Sequence, residues 1–140
     1  MAPEFTIGSV NPIKLGSCLN QPPKANHALI ITNVGVCNSI AFKVPTNTFS
    51  DYEDGDTSNL TLFLASTSGE RLGKNSWLYL NGSSQVLYSV LSINQIKVLK
   101  KNEITFFLFA RDKGGLTEKT EVRIFLDKNQ TNINYEVSIA

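Results

Sequence analysis

Apolar residues in this chain recur at every second position, in short bursts. Ile40, Phe42 and Val44 form one series, Leu60, Leu62 and Leu64 a second, and Val122, Ile124 and Leu126 a third. A period of two lines one face of a strand, whereas a helix repeats every 3.6 residues. The pattern predicts strands over residues 27–32, 39–44, 60–65, 77–80, 85–90, 104–110 and 120–126. Turn-forming residues separate them: Asn33-Val34-Gly35, Pro45, Asn81-Gly82 and Asp112-Lys113-Gly114-Gly115. Asn-Gly between two such runs signals a hairpin. Run 104–110 is apolar at almost every position, so both of its faces must be covered. Residues 92–102 fit either a short helical turn or a loop pinned by Ile93, Ile96, Val98 and Leu99. Seven short strands with almost no helix signal predict an all-β, seven-stranded Greek-key β-sandwich.

The sandwich is expected over residues 22–127. Residues 1–21 read as an N-terminal segment whose first five, Met1-Ala2-Pro3-Glu4-Phe5, resemble a cloning remnant. Asn20-Gln21-Pro22-Pro23 is a stiff lead-in, because paired prolines fix the backbone and offer no donors. Residues 128–140 read as a polar linker and one alternating strand. That strand is either an eighth of the sandwich or the first of a following domain.

Composition narrows the function. A hydrophobic fraction of 41% supplies a core, and a net charge of +1 gives no electrostatic case for nucleic acid or an anionic membrane. No apolar run approaches the ~18 residues of a spanning helix, so no direct membrane insertion is expected of this stretch. His27 has no acid or nucleophile nearby in sequence, and Cys18 and Cys37 lack metal-ligand spacing. No phosphate loop or nucleophile elbow is present. An enzyme is not expected.

Three sequons begin at Asn59, Asn81 and Asn129, beside an even cysteine count. Together they favour an extracellular, glycosylated chain. A Cys18–Cys37 bridge is then preferred to two free thiols. It would tie the lead-in to the first turn and add roughly 3 kcal/mol in the chain-entropy account. Trp77 fits a plug between the sheets better than a sugar platform.

Asp51, Glu53, Asp54 and Asp56 crowd carboxylates into one short loop around Gly55. Such groups repel unless they stay in water or share donors or a cation. In a Greek-key sandwich this loop lies at the same pole as Asp112. Convergent carboxylate oxygens suit Ca²⁺, which takes ~6–8 of them. Asp51, Asp54, Asp56 and Asp112 are therefore the candidate calcium ligands, against the alternative of a solvated acidic turn.

The order of motifs is distinctive: Phe42-Lys43-Val44-Pro45, Thr48-Phe49-Ser50-Asp51, Glu53-Asp54-Gly55-Asp56 and Asn59-Leu60-Thr61-Leu62. Ser76-Trp77-Leu78, Ser84-Gln85-Val86-Leu87-Tyr88 and Ala110-Arg111-Asp112-Lys113-Gly114-Gly115-Leu116 follow. Over residues 22–127 the chain resembles a dystroglycan-type cadherin-like (immunoglobulin-like) domain. The resemblance implies a cadherin-type sandwich on the extracellular side of the plasma membrane, within a single-pass adhesion or receptor protein. It also implies a protein partner, or a spacing role between domains. A SEA-like module would then follow, with residues 133–139 as its first strand. Asp54, Asp56 and Asp112 match cadherin calcium positions, but the lead-in brings no carboxylate, so half of that cage is missing. Tyr88-Ser89-Val90-Leu91 lacks the usual Gly-x-Pro, which implies a different following turn. The rival functions are a carbohydrate-binding sandwich using Trp77, Tyr79 or Tyr88, and a calcium-rigidified interdomain joint.

Overall fold

The computed structural model describes residues 20–35, 39–73, 76, 78–90, 102–127 and 136–139. Among these, eleven strands follow in order: β1 (Lys24–Ala25), β2 (Leu29–Val34), β3 (Ser39–Lys43), β4 (Phe49–Asp51), β5 (Gly55–Asp56), β6 (Thr61–Ser66), β7 (Leu78–Asn81), β8 (Val86–Val90), β9 (Glu103–Arg111), β10 (Thr117–Leu126) and β11 (Glu136–Ile139). The seven expected strands are β2, β3 and β6 to β10. One sheet has the order β11-β2-β10-β9-β6, a second the order β3-β8-β7, and β1-β4-β5 form a small third.

The two main sheets share one core. Leu29 and Ile31 of β2, Leu108 of β9 and Val122 and Ile124 of β10 meet Ile40 of β3, Leu78 of β7 and Leu87 of β8 in a single buried cluster. Each such side chain contributes about 1.5–3 kcal/mol by leaving water. β2 runs parallel to β10, pairing Leu29 with Val122 and Val34 with Leu126. This parallel contact arises because the chain leaves β2 for β3 in the other sheet and returns before β10. The other ladders are antiparallel. β11 pairs antiparallel with the free edge of β2, from Glu136 opposite Thr32 to Ile139 opposite Leu29. Val137 packs against the core, whereas Ile139 is 54% exposed.

Both faces of β9 are covered. Phe106, Leu108 and Ala110 point inward. On the outer face Phe63 and Phe109, directly opposed across β6 and β9, stack at 5.0 Å, and Phe107 meets Phe109 edge-on at 6.5 Å. Arg71 lies 4.2 Å above the Phe63 ring and Lys119 4.2 Å above Phe107. Long cationic side chains thus shield the aromatic stripe and keep their charges in water.

The β7–β8 hairpin differs from a two-residue Asn-Gly turn. Asn81 pairs with Val86, which leaves residues 82–85 as the loop. The residue with positive φ is Gln85 (57°), while Gly82 is not among the positive-φ glycines. The Asn81 side-chain oxygen accepts from the Ser83 and Ser84 amides, both at 3.1 Å. Asn81 therefore nucleates the loop through its side chain rather than through left-handed backbone.

Candidate functional site at the acidic pole

The acidic loop is more ordered than its composition requires. Residues 49–51 and 55–56 form the short strands β4 and β5, paired Ser50 to Asp56 and Asp51 to Gly55, and Gly55 turns at φ 102°. β1 pairs with β4 on its other side, Lys24 to Ser50. Strands of two or three residues carry no readable period, which is why the sequence shows only a loop there.

Each candidate carboxylate has defined partners. Asp51 is 6% exposed, and its Oδ2 accepts from the amides of Glu53 (3.1 Å) and Asp54 (2.8 Å). Its Oδ1 is buried without a hydrogen-bond partner. Asp54 Oδ2 accepts from the Lys113 amide at 2.8 Å, across to the β9–β10 turn. Asp56 Oδ1 accepts from the Ser58 amide at 2.9 Å and caps a 3-10 turn, Thr57–Asn59. Asp112 is 4% exposed; Oδ1 accepts from the Leu116 amide and Oδ2 from Asn20 Nδ2, each at 2.9 Å. Glu53 Oε1 accepts from the Gln21 amide at 3.2 Å.

The fold thus joins the loop of Asp51 and Asp54 to the turn of Asp112, while Asp56 is occupied locally. A cation would need most of these oxygens turned toward one point. Here Asp51 Oδ2, Asp54 Oδ2, Asp56 Oδ1, Glu53 Oε1 and both oxygens of Asp112 accept from N–H donors, while Asp51 Oδ1 is buried without a partner. Among the described residues no group of three or more His, Cys, Asp or Glu is placed to hold a metal.

Side-chain and backbone donors both stood out of view in the sequence. Asn20 brings a side-chain donor where a cadherin lead-in would bring oxygens. The amides of Lys113 and Leu116 act through backbone groups that any non-proline residue carries. A Cβ on Gly114 would overlap the Asn20 amide, so the glycine admits that side chain.

The remaining candidates are scattered. His27 Nε2 lies 3.2 Å from Asn47 Oδ1 and Nδ1 3.3 Å from the Ala28 carbonyl, neither an acid nor a nucleophile. Tyr79 and Tyr88, paired across β7 and β8, stack at 5.5 Å and are half-buried. Asn59 and Asn81 are exposed; Asn59 Nδ2 donates to the Asp54 carbonyl at 2.9 Å. Asn81 uses its oxygen, accepting from Ser83 Oγ at 2.9 Å. Trp77, Cys18, Cys37, Asn129 and the turn after Val90 lie outside the described residues. No helix among the described residues is long and apolar enough to cross a membrane.

Among solved structures, one cadherin ectodomain shares this fold at a TM-score above 0.5. Protocadherin gamma B2 extracellular cadherin domains 1–5 match at 14% identity and a TM-score of 0.54, over 79% of this chain and 21% of that one. The chain thus spans about a fifth of that protocadherin, and at this identity the likeness concerns the fold. The human desmocollin-1 ectodomain matches at 19% identity and TM-score 0.48, over 79% of this chain and 20% of that one. The third cadherin domain of human protocadherin 7 matches at 19% identity and TM-score 0.47, over 91% of this chain and 98% of that one. The family model described as the alpha-dystroglycan third Ig-like domain matches residues 19–127. With the sandwich and its loop arrangement in place, that match settles descent: the chain belongs to the family of the alpha-dystroglycan third Ig-like domain.

Proposed function

We propose that residues 22–127 form a non-enzymatic extracellular module of a single-pass adhesion or receptor protein, which spaces neighbouring domains and offers a surface to a protein partner. Family membership over residues 19–127 carries this reading. The outer face of β6, β9 and β10 supports it, since aromatic and arginine side chains are enriched in protein interfaces. Antibodies raised against this module should label intact, unpermeabilised cells that make the full-length protein. Labelling only after permeabilisation overturns the reading.

Three covalent or architectural features belong to the same proposal. Residues 1–21 are a lead-in, and residues 128–140 are a linker and the strand that carries β11, beyond which a following domain can begin. Asn59, Asn81 and Asn129 carry glycans, read as a mass lost on treatment with an N-glycosidase. Cys18 and Cys37 are bridged, read as a linked peptide under non-reducing digestion that separates on reduction.

A second reading, a carbohydrate-binding sandwich, is favoured by the ring pair Tyr79 and Tyr88. A glycan array tests it: binding lost in Tyr88→Ala would move the function from protein contact to sugar recognition.

A further inference from the structure

We infer that the pole where the chain enters the sandwich is latched by N–H donors in the role a divalent cation would play, so that the lead-in is fixed to the domain without metal. The inference deepens the spacing role proposed above and rests on it.

Three stretches of chain meet there, and each is tied to the other two. Asn20 Nδ2 donates to Asp112 Oδ2, joining the lead-in to the β9–β10 turn. The Gln21 amide donates to Glu53 Oε1, joining the lead-in to the β4–β5 loop. The Lys113 amide donates to Asp54 Oδ2, joining that loop to the turn and closing the triangle. Within the turn, Asp112 Oδ1 also accepts from the Leu116 amide, so both of its oxygens are engaged. A shared cation would neutralise clustered carboxylates while drawing their loops together. Oriented N–H groups do the same through short-range dipoles. Bonds to an ionised acceptor are roughly twice as strong as neutral ones.

Asn20 is the side-chain member of the latch, and its chemistry discriminates the two designs. A carboxylate only accepts, so the Asn20 nitrogen must face Asp112. Aspartate at that position would set oxygen against oxygen, an arrangement that needs a cation or a shared proton between them. The glycine at 114 gives the amide its seat.

The test follows the 140-residue chain by thermal unfolding and by amide hydrogen exchange, in EDTA and in millimolar CaCl₂. The wild type is expected to keep the same Tm and the same protection of the Lys113 and Leu116 amides in both. In EDTA, Asn20→Ala should lower Tm by roughly 2–5 °C and speed exchange at Leu116. Asn20→Asp should lower Tm further, because two carboxylates then face each other. Asn20 is exposed, so both variants retain the core. A wild-type Tm that climbs with calcium overturns the inference, since a ligand of the native state must raise it. So do Asn20 variants that melt and exchange like wild type. Loss of cell-surface labelling would instead strike the parent reading and leave these results standing.

Discussion

Gln85 Nε2 donates to the carbonyls of Thr57 and Leu60, both at 3.0 Å, so one amide at the β7–β8 hairpin fastens the turn that opens β6. The backbone of Gln85 is equally committed. Its amide donates to the Asn81 carbonyl at 2.8 Å, and its carbonyl accepts from the Val44 amide at 2.9 Å. The residue therefore joins three segments while sitting at φ 57°.

Gln85→Leu should cost about 2–3 kcal/mol, because two buried carbonyls lose their side-chain donor. Chemical denaturation measures this as a lower urea midpoint with an unchanged slope. A midpoint equal to wild type would mean that water replaces the amide.

The stacked pair Phe63 and Phe109 should couple by about 0.5–1.5 kcal/mol in a double-mutant cycle with alanine. Arg71→Ala should cost less, about 0.5–1 kcal/mol, as expected of an exposed cation over a ring. Additive effects of the two phenylalanines would assign their stabilisation to burial alone.

Gly114→Ala and Gly115→Ala should destabilise for different reasons. The first crowds the Asn20 amide, while the second forces alanine into φ 91°. Each is expected to cost about 1 kcal/mol. In an Asn20→Ala background the first penalty should disappear and the second persist. Tm measurements on the four combinations separate them.

Val137→Asp should release β11 from β2 at a cost of about 1–2 kcal/mol, since it places a charge where a half-buried methyl pair touches the core. Hydrogen exchange would then quicken at the β2 amides that face β11, while those facing β10 stay protected. Equal acceleration on both sides would show that β11 and the core unfold together.

Where alternation was strong, the sequence was transparent. β3, β6 and β10 lie within a residue or a few of where Ile40, Leu62 and Val122 put them, because a half-buried strand must alternate. That residues 51–56 meet the 112–116 turn was legible too, from the topology of a sandwich. The pole's chemistry was not. Its donors are the amides of Gln21, Lys113 and Leu116, which residue type does not reveal, and Asn20, which reads as an ordinary loop residue. Sequence displays acceptors, here the acidic cluster, and hides backbone donors. The hairpin at Asn81-Gly82 was legible as well, though not which of its residues takes a positive φ. Asn-Gly advertises left-handed backbone, yet the bonds of Gln85 place that conformation three residues later.

The placement of β2 between β10 and β11 also decides how the domain bears tension. Ile139 stands opposite Leu29, so a pull between the flanks of β2 and β11 opens their ladder one rung at a time from a single end. Once β11 has peeled away, the load falls on β2 and β10. These run parallel, and their bonds are dragged lengthwise together. A force–extension trace of a single molecule should show a small early lengthening before one abrupt, higher-force rupture. β11 would then act as slack ahead of a shear clamp formed by β2 and β10.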